Sequence, residues 1–215
     1  NNSVCYTEKP DIETFMREWT ALVESKSGER GIFNREASKK QAKKYGRRDP
    51  DHEFGTNPCS EIILRPYQFC NLTEVVVRAT DTIKDLERKV KIATILGTIQ
   101  SSYTKFPYLR KVWQRNTEEE RLLGVSLTGI MDNPLMTAVN SNLEKTLDNL
   151  RNIALATNHE YADLLDIPQS AAITCVKPSG TVSQLVDSAS GIHARHSPYY
   201  VRTVRGDNKD PLTQF

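Results

Sequence analysis

Two thiols and a carboxylate crowd into one short stretch of this chain. Asn57-Pro58-Cys59-Ser60-Glu61 is followed, after a largely apolar run, by Cys70-Asn71-Leu72. Cys59 lies two residues from Glu61 and eleven from Cys70. A free cysteine is ordinarily a small buried hydrophobe. A turn position after Pro58, beside Ser60 and Glu61, is a poor place for an inert core thiol. A thiol and a carboxylate on one short backbone segment can divide radical and acid–base work on one small substrate. The Asn57 amide could hold a hydroxyl and Glu61 could take its proton. If 62–69 is a strand leaving a loop tip, Cys59 and Cys70 need not pair with each other and could serve different steps.

A second stretch, Pro178-Ser179-Gly180-Thr181-Val182-Ser183, follows an apolar run and precedes a helix-like one. Free N–H groups at a helix start attract anions. Gly180 lets backbone approach a phosphate, and Ser179, Thr181 and Ser183 add hydroxyl donors. Taken alone, the same residues also read as a capped strand-to-helix turn. Lys177 adds charge without an assigned contact.

Other candidates carry less. The basic run from Arg35 through Lys39, Lys40, Lys43, Lys44, Arg47 and Arg48 reads as a solvated face, with a phosphate patch as the lesser reading. His193 and His196 have a metal-compatible spacing, but no carboxylate or cysteine nearby completes a site, so no metal is expected. Arg195, Arg202 and Arg205 read as surface arginines, Cys175 as a core residue, and Trp19 and Trp113 as packing residues.

The elements that must position these groups follow from periodicity and punctuation. Asp11 caps a helix with Phe15, Trp19, Leu22 and Val23 on one face, stopped by Gly28. Ile62-Ile63-Leu64 and Val75-Val76-Val77 are short strand-type runs between turn residues. Asp81 or Thr82 caps a long helix through Ile83, Leu86, Val90 and Ala93, expected to end near Lys105. Residues 122–130 read as a buried strand and 140–165 as another long helix. Residues 171–176 form a strand candidate, and 199–204 alternate as a last strand. Strands separated by long helices point to an α/β fold with mostly parallel pairing. There is no repeat, and no clear domain boundary in the loose stretch 46–58.

The bulk numbers narrow the class. The chain has 215 residues, 38% hydrophobic and 26% charged, with net charge +2. That is ordinary globular composition with no global pull toward nucleic acid or a membrane. No apolar run approaches the roughly 20 residues of a membrane span. The four cysteines, Cys5, Cys59, Cys70 and Cys175, form no CxxC pair and no secreted disulfide scaffold. A reducing cytoplasmic setting is expected, with any disulfide catalytic. The N-terminus has neither an initiator Met nor a signal peptide, so the chain reads as the inside of a longer protein.

Asn-Pro-Cys-Ser-Glu with Phe-Cys-Asn-Leu downstream resembles the active-site segment of ribonucleotide reductases, most of all the adenosylcobalamin-dependent, monomeric ribonucleoside-triphosphate reductases (class II). Gly28-Glu29-Arg30-Gly31-Ile32-Phe33-Asn34 is similar to the family's Gly-rich segment before its finger loop. The resemblance implies that residues 1–215 are part of one catalytic domain, a ten-stranded α/β barrel with a finger loop around 55–62. It implies Cys59 as a thiyl radical that abstracts the ribose 3′-hydrogen, buried because open water would quench it. Glu61 would act as base on the 3′-hydroxyl, Asn57 would bond the substrate hydroxyls, and Cys70 would be half of the reducing dithiol. Residues 179–183, Ser179, Gly180, Thr181, Val182 and Ser183, would hold substrate phosphates. Implied partners are a ribonucleoside triphosphate, deoxynucleotide effectors whose site lies mostly outside the chain, and thioredoxin or a similar dithiol. The implied cofactor is adenosylcobalamin, with no docking motif visible. Cys5 is not cast as the second reducing thiol, because the family's lies far earlier. The chain alone is expected to be inactive.

Three other readings stay open from the residues: a reductase core using a di-iron or glycyl radical source, a non-catalytic nucleotide-binding protein on the same fold, and a structural metal site using Cys59 and Cys70.

Overall fold

The computed structural model describes residues 9–27, 31–44, 46–138, 141–201 and 203–215. Cys5, the Gly28 helix stop, the 28–30 part of the Gly-rich segment, Asn140 and Arg202 lie outside the described residues.

In order, the chain runs α1 (Ile12–Glu24), α2 (Arg35–Lys44), β1 (Gly55–Thr56), β2 (Ile63–Leu64), β3 (Asn71–Val76), α3 (Ile83–Ser101), α4 (Lys111–Glu120) and β4 (Leu123–Thr128). It continues through α5 (Pro134–Thr137), α6 (Ser141–Leu164), α7 (Thr181–Leu185) and α8 (Pro211–Gln214). β3 and β4 pair in parallel over all six residues, Asn71 opposite Leu123 through Val76 opposite Thr128. A third parallel segment continues this sheet through the Val125–Thr174 bridge, with Val125 donating to the Ile173 carbonyl and Cys175 to the Val125 carbonyl. The expected strand over 171–176 is thus reduced to one bridge and its flanking bonds. It has a neighbour on one side only, and Pro178 soon ends it.

Period-two alternation divides this sheet. Val75, Leu123, Val125 and Ile173 pack with Leu86, Val90 and Ala93 of α3 and Leu150 and Ala154 of α6. Gly97 lets α3 settle on the sheet, since a Cβ there would come within 3.1 Å of Leu123. The capping box between Thr82 and Asp85 starts α3. The helix stops at Ser101, short of the expected Lys105. The Ser101 and Ser102 hydroxyls bond carbonyls of the last turn at 2.7 Å each, and Arg121 takes the Ser101 carbonyl at 2.7 Å. Asn158 of α6, 1% exposed, donates to Thr98 and Ser170 at 3.0 Å each and accepts from the Ser170 N–H at 2.9 Å. That fixes where the third sheet segment begins.

β1 and β2 form a separate antiparallel hairpin, held by a residue from the basic run. Arg48 is not on a solvated face. Its side chain is 6% exposed and pairs with Glu120, 7% exposed, at 2.9 Å. It also donates to the Ile63 carbonyl at 2.8 Å and Gln68 at 3.1 Å, and stacks on Phe54. Gln68 closes the network by donating to Glu120 at 2.5 Å. Lys40, Lys43 and Lys44 do face solvent. Phe69 stacks on Trp113 of α4, ring centroids 4.6 Å apart, and this sets the entry to β3.

Two other expectations change. No strand forms among the described residues of 199–204: Tyr199 is 92% and Val201 97% exposed, because no sheet edge among the described residues lies beside them to bury either parity. α1 forms with Asp11 as its cap, accepting from the Thr14 N–H at 2.9 Å, yet buries none of its apolar face.

Removing one partner of a buried ion pair leaves the other unpaired. Arg48→Ala should therefore lower stability by about 3–5 kcal/mol, measured by denaturant unfolding. Replacing Arg48 by Met and Glu120 by Leu together should recover most of that loss. A double variant no more stable than Arg48→Ala would contradict the assignment.

Candidate active site

The hairpin tip is built by Asn57. Its N–H donates to the Ile62 carbonyl at 3.2 Å, its carbonyl accepts from Ser60 at 3.0 Å, and its Oδ1 accepts from the Ile62 N–H at 3.0 Å. Ser60 takes a left-handed conformation, φ 64°, to close the turn. The Asn57 amide is therefore half committed to its own loop, leaving Nδ2 for other work.

The loop turns its two reactive side chains to different environments. Cys59 is exposed and free. The expected burial of this thiol is not met, because the tip stands over a three-segment sheet that covers it on one side. Glu61 points inward, its side chain 4% exposed, and its Oε1 accepts from Lys177 Nζ at 3.0 Å. Glu61 Oε2 is buried and accepts no hydrogen bond. Burial pushes the carboxyl up. The Lys177 hydrogen bond and charge, with lesser help from its own backbone and the Asn57 amide, outweigh burial and hold it below the ordinary carboxylate range. Glu61 therefore stays ionised, and the pair's contribution to stability is lost as pH falls through its lowered value.

Cys70 and Cys175 lie beneath the hairpin, both partly buried and free. Burial pushes the Cys70 thiol up, and the Glu61 charge adds to it. Cys175 is pushed up to about 12 by burial, then by Glu61 and Cys70. It is not simply a core residue. Gly124 opens a seat on β4 over which its sulfur rests, 3.2 Å from where a Cβ would stand, with Leu72 and Ile62 around the same spot. A cavity of about 360 Å3 beneath is lined in part by Glu61, Ile62, Thr174, Cys175 and Arg47. Glu74 and Ser126, opposite each other across β3 and β4, each bury an oxygen with no partner.

The 178–183 turn begins directly after Lys177, whose ammonium contacts Glu61, and so lies next to the hairpin. Its hydroxyls are not all free donors. Ser179 Oγ accepts from the Ser183 N–H at 3.1 Å, and Ser183 Oγ donates to the Gly180 carbonyl at 2.8 Å. Gly180 has open space around it, and α7 starts there with no side-chain cap. What remains for an anion is backbone at 180–182 and the Thr181 hydroxyl. The segment following the turn is held by Thr128, which accepts from the Gly191 N–H at 2.8 Å, and by Arg195, which grips Asp132 and Asp187 at 2.9 Å each. It braces the turn through the Ser188 N–H on the Ser183 carbonyl and the Ser190 hydroxyl on the Ser179 carbonyl. Arg195 is thus a clamp, not an idle surface residue. His193 bonds the Ser190 carbonyl and His196 packs edge-on to Tyr200. No group of three or more metal-ligating side chains occurs among the described residues.

The chain is 30% identical, over 99% of its length, to an adenosylcobalamin-dependent ribonucleoside-triphosphate reductase of Lacticaseibacillus paracasei, of which it covers 31%. It is 28% identical over 86% of its length to the Lactobacillus leichmannii protein of the same name, covering 29% of it. A crystal structure of a B-12 dependent (class II) ribonucleotide reductase superposes on 66% of the chain, and 23% of its own, with TM-score 0.57 at 26% identity. The chain is thus similar to adenosylcobalamin-dependent ribonucleoside-triphosphate reductases over nearly its whole length. It spans under a third of the length of these curated relatives. No family model matches it. The mixed helix and sheet architecture is that of the solved class II relative over the matched region.

In this chain the structure brings Cys59, Glu61, Asn57 and Cys70 together, with the 178–183 turn beside them. Sequence reasoning noted Lys177 without assigning it a contact, and missed Glu74 and Ser126. Glu74 left a signal: it is a carboxylate within a strand, on the parity of Cys70 and Leu72.

Exposure and acidity predict an order of thiol reactivity. At neutral pH a maleimide should label Cys59 well before Cys70 or Cys175, as resolved by peptide mass spectrometry. Equal rates at all three would contradict the placement.

Proposed function

We propose that this chain carries the thiol centre of an adenosylcobalamin-dependent ribonucleoside-triphosphate reductase. Residues 1–215 belong to one catalytic domain, a ten-stranded α/β barrel whose finger loop is the 55–62 hairpin tip. The three parallel segments β3, β4 and 173–175 are its strands here. One observation carries the reading. The Lys177–Glu61 contact joins the hairpin bearing Cys59 to the turn that could hold phosphate, in a chain that aligns with named reductases over nearly its whole length.

The geometry supports the following roles. Cys59, exposed on a braced loop, presents its sulfur to a ribose and takes the 3′-hydrogen as a thiyl radical. Glu61 Oε2, buried and unpartnered, accepts the 3′-hydroxyl proton. The Asn57 Nδ2 orients the hydroxyls. The 2′-hydroxyl leaves as water, and Cys70 with a second thiol supplies two electrons and ends as a disulfide. The phosphates lie against backbone N–H groups at 180–182. Bound adenosylcobalamin supplies the initiating radical. On this chain the fit is at the receiving end, a solvent-facing thiol, and Cys59 is the residue that yields the hydrogen atom. A dithiol such as thioredoxin restores Cys70, deoxynucleotides act as effectors, and the setting is the reducing cytoplasm. No helix among the described residues is long and apolar enough to cross a membrane.

In the full-length protein, Cys59→Ser should abolish deoxynucleotide formation with adenosylcobalamin and a dithiol, while nucleotide binding by calorimetry stays within about twofold. Turnover surviving that change would overturn the thiyl role.

A further inference from the structure

We infer that Lys177 is a positioning residue for the reaction, fixing Glu61 as a carboxylate with one oxygen saturated and the other left open to the substrate. The inference rests on the reductase reading and assigns a role to a residue which that reading does not use.

The geometry is specific. Glu61 is almost fully buried and carries two oxygens with different fates: Oε1 is held by Lys177 at 3.0 Å, and Oε2 has no partner. A buried carboxylate with both oxygens unpartnered would be costly and would take up a proton. One with both oxygens saturated could not act as a base. Lys177 keeps Glu61 between these outcomes. It also aims the carboxylate, because the 3.0 Å contact fixes one oxygen.

The other titratable groups around Glu61 cannot substitute for it. Cys70, at the entry to β3, and Cys175, on the third sheet segment, both have thiols raised by burial and then by Glu61's charge, so each is a neutral neighbour at ordinary pH. Cys59 lies on the same loop and faces solvent. Glu74, whose charge reaches Cys175, has the same sign as Glu61. Arg47, Arg48 and Arg151 line the same cavity as Glu61, with Arg47 bonded to the Ser170 carbonyl and Arg48 paired with Glu120, and Lys177 is the cation hydrogen-bonded to the carboxylate. Burial presses its ammonium toward the neutral form, and the bond to Glu61 more than restores it, so it stays charged.

In the proton step, the substrate O–H breaks with its electron pair left on oxygen. The new O–H forms at Glu61 Oε2, and Lys177 keeps all its protons throughout. Its placement has a second consequence: Pro178 and Ser179 follow directly, so the contact that aims the base also fixes the turn proposed for the phosphates.

The test is the pH dependence of kcat/KM in the full-length enzyme with Lys177→Met, Lys177→Gln and Lys177→Arg, beside Cys59→Ser. Loss of the cation leaves burial opposed only by the lesser help of the backbone and the Asn57 amide, and raises the Glu61 carboxyl. Both neutral variants should then move the acid limb of the profile up by about one pH unit or more, and the Arg variant should return it to the parent position. Using two neutral variants keeps the test alive if one fails to fold. An acid limb unmoved in a neutral variant, with Cys59→Ser inactive, would overturn the role of Lys177 alone. Turnover by Cys59→Ser would overturn the reductase reading on which it rests.

Discussion

The Arg48–Glu120 ion pair is the constraint on which the site depends. β1 and β2 have two residues each, far too few to stay paired on their own backbone bonds. Arg48 supplies what the strands lack. Its guanidinium reaches the Ile63 carbonyl of the hairpin, the Gln68 amide before β3 and the Glu120 carboxylate before β4, with Phe54 against its face. A lysine could not make these contacts, since one ammonium has no planar fork to span them. The network thereby ties the hairpin to the two strands that make the sheet, and so fixes the height of Cys59 and Glu61 above it.

A second coupling runs from the far end of the chain. Asn158 sets the start of the third sheet segment, Gly124 leaves room for Cys175, and Lys177 reaches back to Glu61. The hairpin is thus held from below by one buried ion pair and from the side by another. The two differ in purpose. Arg48–Glu120 is saturated on both partners and is structural, whereas Glu61–Lys177 leaves one carboxylate oxygen open. Incomplete satisfaction of a buried polar group is costly. Its place beside an exposed thiol and the 180–182 backbone suits the open oxygen to the proton transfer proposed for it.

Much of this was legible in the sequence. The 57–72 block announced its chemistry through residue types that make no sense as core. Thr82 and Asp85 marked a helix start, and the apolar spacing of 83–93 and 143–154 marked the faces that α3 and α6 bury. What the sequence hid was long-range pairing. Arg48 sits among solvated lysines and shares their composition, and only its partner 72 residues away makes it a core residue. Lys177 and Glu61 are 116 residues apart, so no local pattern links them. The 199–204 alternation failed for the opposite reason: a strand pattern needs a sheet edge, which periodicity cannot supply.

In the proposed site, one nucleotide bridges the hairpin tip and the 178–183 turn. A crystal structure of the full-length protein with a bound ribonucleoside triphosphate tests it most directly. The account predicts the ribose 3′-hydroxyl on Glu61 Oε2, the Cys59 sulfur facing the ribose, and the phosphates on backbone N–H groups at 180–182. A triphosphate bound with its ribose away from Cys59 and Glu61, and the hairpin tip left empty, would contradict it.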